Sequence, residues 1–245
     1  YNDGRFLREA LFSVRRSIIT LPPMIVADDG STDPATCALL EELAKDMTVL
    51  RLRHGGLSHA RNEAIRVAQT PYILPLDADN LIEPAYISRA VAVLDREPEV
   101  GMVYANARYF GGKSAFYRVP PFSIPHFLCA NTIDACAVFR KSAWERAGGY
   151  DEKIPDQLGW EDWEFWIRLL RDGWRFHGMD EFLFYYRTRS DSMVMRCNQP
   201  ENFKRLMRHI TTQHRVFYER HMPEVIEELL MAVRGESLLG PAAGL

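Results

Sequence analysis

Met24-Ile25-Val26-Ala27-Asp28-Asp29-Gly30-Ser31-Thr32-Asp33 decides how this chain is read. An apolar run stopped by acidic residues and a glycine reads as a buried strand entering a polar loop at its carboxyl end. Pro34 then suits the first turn of a helix, with Leu39, Leu40 and Leu43 on one face. The same alternation extends in both directions. Upstream, Leu7, Ala10, Leu11 and Val14 recur at helical spacing behind the loop-like Tyr1-Asn2-Asp3-Gly4. Downstream, Val49-Leu50-Arg51-Leu52 is a strand, and Gly55-Gly56 precedes a helix carrying Ala60, Ala64, Ile65 and Ala68. Tyr72-Ile73-Leu74-Pro75-Leu76 leads into Asp77-Ala78-Asp79-Asn80, a helix follows Pro84, and Gly101 to Ala105 forms a further strand. This repetition predicts an α/β fold, Rossmann-like, with a mainly parallel sheet flanked by helices and ligands gathered beyond the carboxyl ends of strands.

Between Phe110 and Cys129 the pattern breaks at Gly111-Gly112, Pro120-Pro121 and Pro125, which predicts a loop or lid. Order returns with a strand at Ala135 to Phe139, a helix near Lys141 to Ala147 and a break at Gly148-Gly149. A helix over Asp162 to Leu170 stops at Gly173, Phe182 to Tyr186 is a late strand, and the tail from Glu201 is mostly helical.

With 245 residues, 47% apolar and 26% charged, the chain is long enough to bury a sizeable core. A formal charge of -3 gives no basic footprint, so nucleic acid is not an expected partner. Cys37, Cys129, Cys136 and Cys197 are scattered without metal-ligand spacing and read as reduced thiols. No apolar run approaches the roughly 20 residues that span a bilayer, and no signal peptide opens the sequence. A cytoplasmic location is expected, with peripheral association at the inner membrane face left open.

Three acidic clusters carry the candidate chemistry. Asp28 and Asp29 can accept hydrogen bonds from a base N–H or a ribose hydroxyl; the competing reading is a tight turn in which Ser31, Thr32 or Asp33 caps a helix. Asp77-Ala78-Asp79, the only Asp-x-Asp in the chain, offers a hard divalent cation two carboxylates while leaving positions for diphosphate oxygens and water; helix capping is the alternative. Glu161-Asp162 opens a helix, whose N-terminus favours an ionised carboxylate able to take a proton from a hydroxyl, and capping competes here too. The adjacent Trp160, Trp163 and Trp166 serve either as core or as an aromatic face for a sugar ring. Arg61 either contacts diphosphate or buttresses the loop, or is a solvated helix-face residue. His54 and His59 read as surface residues.

Taken in order, these segments resemble the family 2 glycosyltransferases. Tyr1-Asn2-Asp3-Gly4-Arg5-Phe6-Leu7 is like the family's opening loop and helix, and Val26-Ala27-Asp28-Asp29-Gly30-Ser31-Thr32-Asp33 like its nucleotide-binding segment. Ala60-Arg61-Asn62-Glu63-Ala64-Ile65 and Leu76-Asp77-Ala78-Asp79-Asn80 are similar to its metal-motif region. Val138-Phe139-Arg140-Lys141, Gly148-Gly149-Tyr150-Asp151-Glu152 and Trp160-Glu161-Asp162 resemble its acceptor half, so the likeness spans about residues 1 to 193. The resemblance implies a GT-A fold and an inverting transfer from a nucleotide-sugar donor, UDP-sugar favoured, to a hydroxyl on a glycan or lipid-linked glycan of the cell envelope. It implies that Asp28 and Asp29 hold the base with Arg61 nearby, that Asp77 meets ribose or metal, and that Asp79 holds Mg2+ or Mn2+. Asp162 is implied as catalytic base, with Glu161 and Trp160 supporting it or the acceptor. The implied division is a GT-A catalytic domain over 1–200, nucleotide-binding to about 105 and acceptor-binding over about 106–200, then a C-terminal helical extension over 201–245.

Two departures from the family pattern matter. Relatives carry a strand ahead of the Tyr-Asn loop, whereas this sequence starts within that loop, so a nucleotide site short of that strand is expected. Arg189 stands where many relatives have a metal-binding histidine; a guanidinium cannot ligate a cation but can pair with diphosphate. The Gln-x-x-Arg-Trp segment of processive synthases is absent, which points to one sugar per encounter. Two rival readings are a non-catalytic module binding sugar nucleotide or glycan, and a sugar-1-phosphate nucleotidyltransferase. The latter needs a glycine-rich basic loop near its start, and none is visible.

Overall fold

The structure, a computed structural model, describes residues 1–17 and 22–234. It opens with α1 (Gly4–Arg15), followed by β1 (Ile25–Asp28), α2 (Pro34–Leu43), β2 (Thr48–Arg51) and α3 (Leu57–Val67). β3 (Tyr72–Ile73) and β4 (Leu81–Ile82) flank the Asp77-x-Asp79 turn ahead of α4 (Tyr86–Arg96). Next come β5 (Val100–Gly111), β6 (Ala115–Tyr117), α5 (Ile124–Cys129), β7 (Val138–Arg140) and α6 (Lys141–Ala147). α7 (Glu161–Arg171) and β8 (Arg175–Thr188) precede α8 (Met193–Cys197), α9 (Pro200–Gln213), α10 (Arg215–Arg220) and α11 (Met222–Arg234).

Local chemistry sets the boundaries that matter for the site. α2 begins at Pro34 because the Asp33 carboxylate accepts the Thr36 N–H at 2.8 Å, leaving Asp28 and Asp29 free of capping duty. α3 begins after Gly56, whose φ of 90° suits a residue without Cβ. The stretch expected as a loop or lid, 110–129, instead holds the end of β5, then β6 and α5. Gly111, at φ 88°, turns the chain back into a hairpin, and Pro125 lies in the first turn of α5, where no helical N–H is needed.

β1 and β2 pair in parallel as one small sheet. The larger sheet runs β3-β7-β5-β8-β4, with β6 paired to β5. Within it β5 and β8 are parallel over eleven partnered positions from Val100 to Gly111, and the remaining pairs are antiparallel. The α/β class and helical flanking stand, but the sheet is mixed rather than mainly parallel. Short strands such as β6 return through a tight turn, which only an antiparallel pairing permits.

α7 buries a wide apolar face beyond its first turn, where Trp163, Phe165, Trp166, Ile167 and Leu169 have at most 1% exposure while Arg168 and Arg171 mark its polar side. It lies in one cluster with Phe127, Leu128 and Phe139 and with Ile210, Phe217, Tyr218 and Val225 of the later helices. Trp163 and Trp166 are therefore core, not sugar platforms. Polar contacts pin the same helix: Trp163 Nε1 donates to the Phe127 carbonyl at 2.8 Å, and His214 Nε2 meets Glu164 Oε1 at 2.9 Å. A second cluster packs Tyr86, Ala90 and Leu94 of α4 against the sheet, and a third joins α1 and α2 to β1 through Leu7, Leu11, Val26 and Leu40. The four cysteines are free thiols, as expected. No helix among the described residues is long and apolar enough to cross a membrane. The part of the expected helical extension over 235–245 lies outside the described residues.

Candidate active site

β1 delivers Asp28 and Asp29 to its carboxyl end, both buried. Asp28 pairs with Arg51 Nε at 2.9 Å and accepts the Ser31 N–H at 3.1 Å. Asp29 accepts the Gly55 N–H at 2.8 Å and the Gly56 N–H at 3.0 Å, and His54 Nδ1 lies 2.8 Å from Asp29 Oδ2. The pair thus ties the loop after β1 to the loop before α3. His54 is half exposed, as a surface residue would be, yet it is held by Asp29 and faces the Tyr1 ring at 4.7 Å between centroids.

Arg61, one turn into α3, joins two of the acidic clusters. Its Nη2 meets Asp77 Oδ1 at 2.7 Å and its Nη1 meets Glu161 Oε1, with the guanidinium 5.6 Å from the Tyr150 ring centroid. Burial opposes the charge, but Glu161 and then Asp77 more than offset it and hold the Arg61 pKa above its ordinary value. The solvated-arginine reading is excluded by a side-chain exposure of 9%.

Asp79 lies beside a second arginine. Arg189 Nη1 sits 3.1 Å from Asp79 Oδ2 and 2.7 Å from Asp3 Oδ2, and its Nε is 3.0 Å from Asp191. Arg187 donates from Nε to the Asp79 carbonyl at 2.8 Å, and the Arg187 N–H donates to Asn80 Oδ1 at 2.8 Å, which fixes the turn from β8. Burial first, and then the Asp77 charge, raise the Asp79 pKa to about 6 despite Arg189. Among the described residues no three His, Cys, Asp or Glu side chains converge as a closed cation cage. Asp77 Oδ1 is paired with Arg61 and Asp79 Oδ2 with Arg189, so a divalent cation fits here by taking the remaining carboxylate oxygens of this open turn, with its other ligands from diphosphate and water.

Glu161 and Asp162 open α7, immediately after Trp160, a non-glycine residue at φ 73°. Trp160 packs edge-on to Trp163 at 5.3 Å and Phe203 at 5.3 Å, so its ring serves packing. Glu161 is 3% exposed, its Oε1 taken by Arg61 and its Oε2 without a hydrogen-bond partner among the described residues. Burial pushes both carboxyls of this coupled pair upward; for Asp162 the next cause is the charge of Asp134, opposed by Arg61. Asp162 Oδ1 accepts the Trp163 N–H at 2.7 Å and the Asn131 side-chain amide at 3.2 Å. The self-contact to Trp163 is one residue long and caps no further turn, so capping does not account for Asp162.

The structure therefore links Asp77, Arg61 and Glu161 directly and sets Asp79 with Arg189, while Asp28 and Asp29 form a separate loop-bracing pair. Sequence reasoning missed Asn62, Asn131 and Asp134. Asn62 is 2% exposed and satisfied on both sides: it donates to the Tyr150 carbonyl at 3.0 Å and Glu152 at 2.8 Å, and accepts from Trp144 Nε1 at 3.1 Å and the Tyr150 N–H at 2.8 Å. Burial, then Asp77, raise the Asp134 pKa to about 7. No local pattern marks Asn62 or Asn131, because the site partners of Asn62 lie 82 to 90 residues away and Asp162 lies 31 residues from Asn131; Asp134, bonded locally to the Cys136 N–H, is set apart only by its burial.

The mixed sheet with helices on both sides and acidic clusters at strand ends defines a GT-A-type architecture. The chain belongs to glycosyl transferase family 2, whose sequence profile matches residues 1–146. Chondroitin synthase of Escherichia coli is 25% identical over 179 residues, which are 71% of this chain and 26% of that protein. The poly(ribitol-phosphate) beta-N-acetylglucosaminyltransferase TarS of Staphylococcus aureus is 22% identical over 94% of this chain and 42% of its own length. Among solved structures, TarS 1-349 in complex with UDP-GlcNAc superposes with a TM-score of 0.68 at 21% identity, covering 86% of this chain and 63% of that one. The mannosyltransferase PcManGT from Pyrobaculum calidifontis, in complex with GDP-Man and Mn2+, gives 0.57 at 19% identity over 99% and 75%. The chain spans about a quarter of the chondroitin synthase and under half of full-length TarS.

Proposed function

We propose that this chain is the catalytic module of an inverting, metal-dependent glycosyltransferase that moves a sugar from a UDP-sugar to a hydroxyl on a glycan or lipid-linked glycan. The observation that carries the reading is Arg61, a buried cation shared between Asp77 on the donor side and Glu161 on the acceptor side. That arrangement sets a diphosphate-type site against a proton-accepting site across a short gap, as a single displacement requires. The UDP-GlcNAc bound to TarS and the GDP-Man and Mn2+ bound to PcManGT support a nucleotide-sugar donor and a divalent cation.

In this reading Asp28 and Asp29 shape the nucleotide loop, with Tyr1 and His54 offering aromatic faces to a base. Asp77 and Asp79 hold Mg2+ or Mn2+, which when bound neutralises charge on the departing diphosphate. Arg189 pairs with diphosphate oxygens once donor competes for it with Asp3 and Asp79. Asp162 takes the proton of the acceptor hydroxyl, and Glu161 keeps Arg61 aligned beneath it. Residues 1–200 form the catalytic domain in this scheme, and the helices from there on buttress α7.

The test is UDP release from UDP-GlcNAc with Mn2+ and a panel of glycan acceptors. Asp162→Asn should lower turnover at least about 1000-fold while leaving UDP binding within about twofold. Wild-type turnover in that variant would remove Asp162 from its role, and donor binding without turnover in the parent protein would favour the binding-module reading.

A further inference from the structure

Asp162 has two carboxylate oxygens, and the protein uses only one. The Trp163 N–H and the Asn131 side-chain amide both donate to Oδ1, at 2.7 and 3.2 Å. Oδ2 receives no hydrogen bond from the described residues. The orientation of the Asn131 amide follows from its other contact: its Oδ1 accepts the Ile133 N–H at 3.3 Å, so the NH2 group is the end that faces Asp162.

The segment carrying Asn131 is braced. It leaves α5 at Ala130, whose N–H donates to the His126 carbonyl at 3.2 Å, and Ile133 anchors it in the α7 cluster at 1% exposure. Further along, Asp134 Oδ1 accepts the Cys136 N–H at 2.8 Å. α5 is itself fastened to α7 by the Trp163 indole. Asn131 is therefore a fixed donor on a rigid support, 31 residues from the carboxylate it meets.

We propose that Asn131 is the positioning residue of the base, holding Asp162 by Oδ1 so that Oδ2 is the oxygen presented to the acceptor hydroxyl. This rests on the assignment of Asp162 as base in the reading above. A donor to one oxygen fixes the carboxylate rotamer and stabilises its charged form. The charged and titratable groups facing Asp162 are Arg61 from α3, Asp134 from the same loop as Asn131, Glu161 of α7, Tyr150 ahead of α7 and Cys197 of α8. Asp134 raises the Asp162 pKa, while Arg61, the Trp163 N–H and Asn131 lower it. Removing the Asn131 donor leaves the raising influences less opposed.

The decisive variant is Asn131→Ala, which removes the donor to Asp162 without adding a charge; N131D keeps an acceptor for the Ile133 N–H but also sets a like charge beside Asp162, so its shift should be the larger of the two. Two readouts are taken on N131D, Asn131→Ala and the parent: UDP release from UDP-GlcNAc with Mn2+ across pH 5 to 9, and the Asp162 carboxyl titration followed by carbon-13 NMR. The acid limb of kcat should move up by about one pH unit, a roughly tenfold loss below it, with KM for UDP-GlcNAc little changed. The NMR midpoint should move in the same direction in both variants. An unchanged midpoint overturns the proposal whatever the kinetics show. If D162N turns over like the parent, the base assignment has failed by itself, and the NMR midpoint still decides whether Asn131 holds Asp162.

Discussion

Arg61 and Glu161, one hundred residues apart, form an ion pair with side-chain exposures of only 9% and 4%. Breaking a buried pair from one side strands the other charge. Arg61→Met should therefore destabilise the fold by about 3–5 kcal/mol, and R61M/E161Q should recover part of that loss, both measured by urea unfolding. Additive effects in the double variant would mean that the two groups are not coupled.

Asn62 ties α3 to Trp144 of α6 and to Tyr150 and Glu152 through four hydrogen bonds, two of them to the Tyr150 backbone. Its neighbour Gly149 has φ 86°, and a Cβ there would lie 2.8 Å from Asn62 Oδ1. Gly149→Ala combines backbone strain with a clash against a fully bonded group, so a loss of about 2–4 kcal/mol is expected. Gly148→Ala, at φ 82° but with no atom within 4 Å of the added Cβ, should cost about 1 kcal/mol. Equal losses in thermal unfolding would remove Asn62 from the explanation.

Asp79 and Asp134 have folded-state pKa values raised to about 6 and about 7, and burial raises Asp162 as well. Unfolded carboxyls titrate near 4, so between that pH and about 7 the folded state binds more protons than the unfolded one. Their contribution to stability is full below about pH 4 and is lost as the pH rises through 6 to 7. Asp134→Asn, which keeps an acceptor for the Cys136 N–H, should flatten that decline and stabilise the protein at pH 8 by roughly 1–3 kcal/mol. A lower melting temperature for D134N at pH 8 would contradict the assignment of its cost to buried charge.

A cation held by Asp77 and Asp79 competes with the proton on Asp79. The stabilisation given by Mn2+ with UDP should therefore grow as pH rises through about 6, read by thermal shift at pH 5 and pH 7.5. Asp79→Asn should abolish the Mn2+ dependence, and Arg189→His should strengthen Mn2+ binding without nucleotide by replacing a cation with a ligand. A response independent of pH would argue against Asp79 as a ligand.

Elements with a clear period were legible in the sequence, as were their strand-end acids. α1, α2, α3 and α7 follow apolar spacing, and the strand over Val26 stops where Asp28 and Asp29 begin. The long strands were not: β5 runs on to Gly111 and β8 starts at Arg175, because the ladder continues through polar residues such as Asn106 and Arg108 that break the apolar run. β3 and β4 are two residues each and exist only through their partners in β7 and β8. For the site, the acidic residues were visible one by one, whereas Arg61 between two of them, and Asn131 upon Asp162, follow from contacts no local spacing encodes.

α7 carries Glu161 and Asp162 on its first turn, yet what encloses it arrives much later: His214 on Glu164, and Phe217, Tyr218 and Val225 in its cluster. During synthesis the two carboxylates exist well before the helix that bears them has its final surroundings. Until the chain reaches about residue 225, the α7 tryptophan and phenylalanine side chains have Phe127, Phe139 and Tyr150 on one side but lack the cover of the later helices. Truncations ending ahead of Pro200 should consequently bind chaperones or aggregate rather than yield a smaller working site. The last helices act in time as well as in space, determining when the α7 end of the site is first assembled.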